Sequence, residues 1–271
     1  MVSFDVGPPD ELAEHFARLP AIPGEFRKFF WYDWGPIFYR GRLAGDPKFL
    51  GIASDPGPTE RIVGRTLVGD AGQRVQGFLD KLGLTRSYVL VNAYPVALRP
   101  GNFFQAKPLL SNTDQRTWRN RFYDMVKGSN LQAIVAFGGN ASDVLELWDD
   151  KPDVPTFEVP HPSHDDEKNT LEKFAAVITS LRAVVTPDDD GNAGGPNYDG
   201  TKFEEADYKR IPQGDLPFGL PPWIGDDVWG RRATPRHNNC VKRPTTETGL
   251  DSDKDHTLIW RAPTPEELDP N

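Results

Sequence analysis

Between Lys48 and Val185 the chain alternates short apolar runs with longer segments of helical period. That alternation restricts the possible folds more than any other feature. The apolar runs are Lys48 to Ser54, Tyr88 to Val91, Gln132 to Phe137 and Thr156 to Val159. Each is short, and a β-rich run of this length reads as a buried strand. Between and after them, four segments carry apolar residues at helical spacing: Asp70 to Leu82, Thr113 to Val126, Asn140 to Trp148, and Asp165 or Asp166 to about Val185. Strands separated by helices imply parallel pairing with right-handed crossovers. The expectation is an α/β fold, a three-layer α/β/α sandwich around a four-stranded, mainly parallel sheet.

The flanks read differently. Residues 1–47 form an N-terminal segment expected to pack on the core, with a short helix over Asp10 to Leu19. Phe26 to Tyr39 is densely aromatic, which predicts core packing; a stacking surface for a nucleobase is the alternative. Residues 48–185 are the regular core. After Pro187 the periodicity stops, and Asp188 to Asn197 reads as a linker or hydrated loop. Residues 186–271 are expected to form an irregular acidic tail strapped to the core, with Phe218, Trp223, Ile224, Trp229 and Trp260 as anchors.

Charge and cysteine content narrow the chemistry. The net charge of −9 argues against a generally basic nucleic-acid binder. From Asp188 onward, however, 17 acidic residues face 10 basic ones, so the rest is close to neutral and leaves room for a locally basic site. One cysteine, Cys240, permits neither an intramolecular disulfide nor a cysteine-built cluster. His237 and Cys240 are only two potential ligands, so no metal is expected. With no signal-peptide core and no run of 18 apolar residues, a soluble cytoplasmic monomer is expected, with no membrane partner.

Polar residues stand where strands end. In open α/β sheets that is where ligands bind. Asp55 follows the first strand, in Ser54-Asp55-Pro56-Gly57. Pro56 biases Asp55 towards extended backbone, and Gly57 permits close approach. Asn92 ends the second strand, and His161-Pro162-Ser163 follows the fourth. These three ends could converge on one pocket. The bland alternatives are a turn-capping Asp55, a strand-terminating Asn92 and a surface His161.

Four motifs in order resemble the uracil-DNA glycosylase superfamily: Gly51 to Gly57, Gly64 to Gln73, Val91-Asn92-Ala93-Tyr94-Pro95, and His161-Pro162-Ser163. The resemblance covers Lys48 to Val185, about half the chain; the tail has no counterpart in it. It implies an enzyme that binds DNA, flips out a nucleotide and hydrolyses its N-glycosidic bond with no metal, no cofactor and no covalent intermediate. Asp55 matches the water-orienting carboxylate and His161 the donor to the departing base. Asn92 matches the amide that reads the base, with Gly57 and Leu67 beside it. Ser163, His164 and Gln73 match positions that meet DNA.

Departures from the pattern bear on the substrate. The iron–sulfur branch has four cysteines that are missing here, and an acidic residue where this chain has Ser54. Leu67 stands where an aromatic often stacks on the base, so stacking is expected from elsewhere, such as the early aromatic segment. Gly57 stands where the most uracil-restricted branch has a tyrosine against carbon 5, which implies an open pocket on that side. The implied substrate is uracil or a C5-modified pyrimidine, including the hydroxymethylated or glucosylated cytosines of phage DNA, which would make the enzyme a defence factor. A non-catalytic DNA- or nucleotide-binding module is the rival from another class. A second rival stays covalently bonded to its DNA, but the branch that does so has a histidine-containing insertion, and Ala97 to Asn102 has no histidine.

Overall fold

The computed structural model describes residues 4–32, 35–43, 47–217, 241–242 and 259–260. Helices α1 (Asp10–Ala17) and α2 (Gly24–Arg27) lead to an edge strand, β1 (Tyr39–Gly41). The regular core then runs β2 (Phe49–Ala53), α3 (Pro58–Val63), α4 (Asp70–Lys81) and β3 (Tyr88–Asn92). It continues through α5 (Phe103–Ala106), α6 (Thr113–Val126), β4 (Ala133–Phe137), α7 (Gly139–Glu146), β5 (Thr156–Val159) and α8 (Glu167–Leu181).

The sheet has five strands in the order β1-β3-β2-β4-β5. The four expected strands are all parallel, and β1 adds to the edge antiparallel to β3. Sequence reading missed β1 because its three residues are too few to show a period, and pairing with β3 is what makes them a strand. The stretch Pro58–Val63 also differs from expectation, being helical rather than part of a turn. Pro58 at its first turn suits the missing N–H, and Gly64 ends it at φ 75°.

Alternation along β2 sorts the core into two layers. Leu50 and Ile52 face a cluster with Leu12 of α1, Trp118 and Phe122 of α6, and Val144 of α7. Phe49 and Ala53 face the other cluster, with Val75 and Phe78 of α4 and Phe174 and Ile178 of α8. The period of two along each strand therefore separates α4 and α8 from α1, α6 and α7. Side-chain caps start two of these helices: Asn112 accepts from the Gln115 N–H and Asp166 from the Asn169 N–H.

The path from β2 goes to β3 on one side, then returns past β2 to β4 on the other. The ends of β2 and β4 thus flank the point where the winding reverses, and a crevice opens there in such sheets.

The chain after α8, from Asp188 to Asp215, is strapped on the core. Asp188 accepts backbone N–H bonds from Thr85, Arg86 and Ser87 and pairs with Lys48. Tyr198 and Phe203 pack against the α4/α8 cluster. The strap crosses α4 at Gly77, where a Cβ would stand 2.0 Å from the Asp207 carbonyl oxygen. Asp215 closes it, accepting from Arg40 Nη1 at 3.0 Å and from the Tyr88 hydroxyl at 2.7 Å. Of the expected anchors, Phe218, Trp223, Ile224 and Trp229 lie outside the described residues, as do His237 and Cys240. Trp260 enters only through the backbone pairing of Val241–Lys242 with Ile259–Trp260. No helix among the described residues is long and apolar enough to cross a membrane.

Candidate active site

A cavity of about 340 Å³ opens at the carboxyl ends of β2 and β5. Its size falls within the roughly 300–1,000 Å³ usual for small-molecule sites. Ser54, Asp55 and Gly57 line it from the end of β2, and Thr59 and Glu60 from α3. Leu67, Gly69, Asp70 and Ala71 come from the turn into α4, Phe103 from α5, and His161 and Ser163 from the loop after β5.

Asp55 is held from both sides. Its Oδ1 accepts from the Ser54 hydroxyl at 2.9 Å and its Oδ2 from the Leu98 N–H at 2.9 Å. Ser54 Oγ in turn accepts from Asn140 Nδ2 at 2.9 Å. This relay runs from the end of β4 to the end of β2, across the reversal point of the sheet. Sequence reading assigned Asn140 to a helix start without a role; its position just after the Gly138-Gly139 strand end was the available signal.

His161 is oriented by its own loop. The Ser163 N–H donates to His161 Nδ1 at 3.2 Å, which leaves Nε2 as the protonated nitrogen. Burial, the Arg74 guanidinium and His164 push its pKa down to about 4, so the imidazole is neutral at pH 7. Arg74 fixes the loop from behind. It donates to the Pro162 carbonyl at 2.6 Å, to Glu167 at 3.0 Å and to the Tyr208 hydroxyl at 2.9 Å. Its guanidinium lies 4.1 Å from the Phe203 ring centroid. Two tail residues therefore help place a residue of the cavity. Nothing in the sequence linked Arg74 to His161, because 87 residues of chain separate them.

Leu67 lines the cavity as expected, and it is the one described non-glycine residue with positive φ, at 54°. Gly72 accommodates this turn, since a Cβ there would stand 1.8 Å from the Leu67 carbonyl oxygen. Strain of this kind is retained where surrounding structure enforces it, commonly at sites.

Several expectations need correction. Asn92 neighbours Ala53 in register, but its side chain is buried and donates to Thr66 Oγ1 at 3.4 Å, outside the cavity lining. Gln73 is wholly buried in α4 and does not line the cavity either. The side chain has no surface to offer a DNA strand. His164 is exposed beside the cavity without lining it. No described residue of the early aromatic segment lines it. Phe30 and Trp31 are buried and Tyr39 packs in the core, as expected of this segment; Trp34 lies outside the described residues. The aromatic at the cavity is instead Phe103, 47% exposed.

The space beside Gly57 also differs from expectation. A Cβ on Gly57 would meet Glu60 Oε2 at 2.6 Å, so a carboxylate occupies the side expected to be open. Glu60 closes the stretch that contains Asp55, yet sequence reading gave it no role. The turn of α3 brings it back over Gly57. The lining thus carries three carboxylates, Asp55, Glu60 and Asp70, and no lysine or arginine among the described residues. The local basicity anticipated from the charge distribution is not in the cavity itself.

Comparison with models of known protein families and with curated protein sequences finds no match for this chain.

Proposed function

We propose that this protein is a DNA glycosylase, which hydrolyses the N-glycosidic bond of a flipped-out pyrimidine nucleotide and leaves an abasic site. The observation that carries this reading is the pairing of Asp55 with a neutral His161 across one cavity. Cleavage leaves positive charge on the sugar and negative charge on the base. Asp55, with both oxygens already fixed, supplies an immobile negative charge for the sugar cation and orients water. The water oxygen bonds to the anomeric carbon as its proton passes to Asp55, while the bonding pair of the C–N bond leaves with the base. His161 Nε2–H donates to the departing base without itself carrying charge. The first turn of the 12-residue α4 also reaches the cavity through Asp70 and Ala71, with its N–H groups favouring developing negative charge. Phe103 supports stacking on the base.

The base is uracil or a C5-modified pyrimidine, and excision from phage DNA would make the activity defensive. The protein acts as a cytoplasmic monomer on DNA. The test is incubation with duplexes carrying uracil, hydroxymethylated or glucosylated pyrimidines, followed by alkaline cleavage at abasic sites. Strand breaks at the modified position support the reading. Tight binding of the same duplexes without cleavage would favour a non-catalytic module.

A further inference from the structure

Glu60 is only half engaged by the protein. It is 7% exposed, and its Oε1 accepts from the Val68 N–H at 2.7 Å and the Gly69 N–H at 2.9 Å. Those two bonds fix the plane of the carboxylate. Oε2 accepts no hydrogen bond among the described residues, and it faces Gly57, with which it lines the cavity. Although the residue as a whole is buried, Oε2 itself is open to the cavity, where a donor on a ligand can reach it. The cavity's other charged side chains, Asp55 and Asp70, are acidic, and its neutral donors, the Thr59 and Ser163 hydroxyls and the His161 Nε2–H, offer Oε2 no cationic partner. No group of three His, Cys, Asp or Glu side chains among the described residues is arranged to hold a metal ion.

We infer that Glu60 Oε2 is the specificity-determining acceptor of this cavity, and that it binds an ammonium or hydroxyl carried by the base as an exocyclic substituent. This rests on the glycosylase reading for the identity of the ligand as a base. An acceptor there repels a ring carbonyl and gains nothing from a methyl group, whereas a donor completes the carboxylate. A charged donor gains most, since the lining is acidic. Carbon 5 is the pyrimidine position that can bear such a group without disturbing the glycosidic nitrogen or the pairing edge. Asn92, expected to read the base, is occupied with Thr66, which leaves Glu60 in a position to do so.

The test uses 5-aminomethyl-, 5-hydroxymethyl- and 5-methyl-deoxyuridine, as free nucleosides in equilibrium binding and within duplexes in single-turnover excision. The expected order is aminomethyl, then hydroxymethyl, then methyl, with about 10- to 100-fold between the first and last, the range for a hydrogen bond to a charged group. Glu60→Gln keeps an oxygen for the Val68 and Gly69 N–H groups and turns its NH₂ towards the cavity. The order should therefore flatten or invert, at an unchanged melting temperature. Base release with a flat order in the wild-type protein overturns the inference and leaves the glycosylase reading standing. Ranked nucleoside binding without base release from any duplex upholds the inference and overturns the glycosylase reading. Neither binding nor release overturns both.

Discussion

Glu60 Oε2 occupies the space that a side chain at Gly57 would need, 2.6 Å from the site of a Cβ. Because Oε1 is tied to Val68 and Gly69, the carboxylate cannot swing aside without breaking those bonds. Gly57→Ala should therefore cost about 1–3 kcal/mol by overpacking and lower excision of every substrate. Chemical denaturation and single-turnover rates check this together. A variant as stable and as active as the wild type would mean that the carboxylate moves freely.

Asp55 is expected to act mainly in the transition state. Asp55→Ala should lower the single-turnover rate by about 10²-fold or more while binding abasic DNA nearly as well as the wild type. Ser54→Ala removes the hydroxyl between Asn140 and Asp55 and should give a smaller loss in the same direction. Full turnover by Asp55→Ala would remove it from the mechanism.

His161 gives a pH signature with a definite sign. Its pKa, lowered to about 4 by burial and Arg74, lies below the ordinary 6.5. The unfolded chain therefore binds the extra proton first. Stability linked to this group is fully present above pH 6.5 and is lost as pH falls towards 4. The rate, in contrast, should show no titration of this residue between pH 5.5 and 8. His161→Gln should lose about 10²- to 10³-fold in rate, the range for one oxyanion-type donor. Its melting temperature should fall less between pH 6.5 and 4. A rate that rises as a group of pKa near 6.5 protonates would indicate an imidazolium instead.

Asp215 tests the strap. It is 1% exposed and pairs with Arg40, which is 0% exposed, and it also accepts from Tyr88. Asp215→Ala leaves a buried guanidinium without its carboxylate and should cost about 3–5 kcal/mol in urea unfolding. Truncation before Asp188 should be worse, since it also removes Phe203 and Tyr208 from Arg74. A truncated chain with unchanged stability and full excision activity would show that the strap contributes neither to folding nor to the His161 loop.

The amino-acid sequence by itself determined the layered core. Period-two strands and period-3.6 helices are local patterns, so β2 to β5, α4, α6, α7 and α8 were legible within a few residues. It also placed Asp55 and His161 at strand ends, which a parallel sheet brings to one edge. Only the tertiary structure decided what surrounds them. Asn140, Arg74, Phe103 and Glu60 reach the site through contacts that no local pattern encodes: a neighbouring strand end, a helix crossing behind a loop, a short helix folding over a turn. Asn92 illustrates the converse. Its position at a strand end was correctly read, but the direction of its side chain depended on Thr66, 26 residues away, offering a nearer partner. Periodicity fixes where a backbone runs, while side-chain direction is settled by whichever neighbours the completed fold supplies.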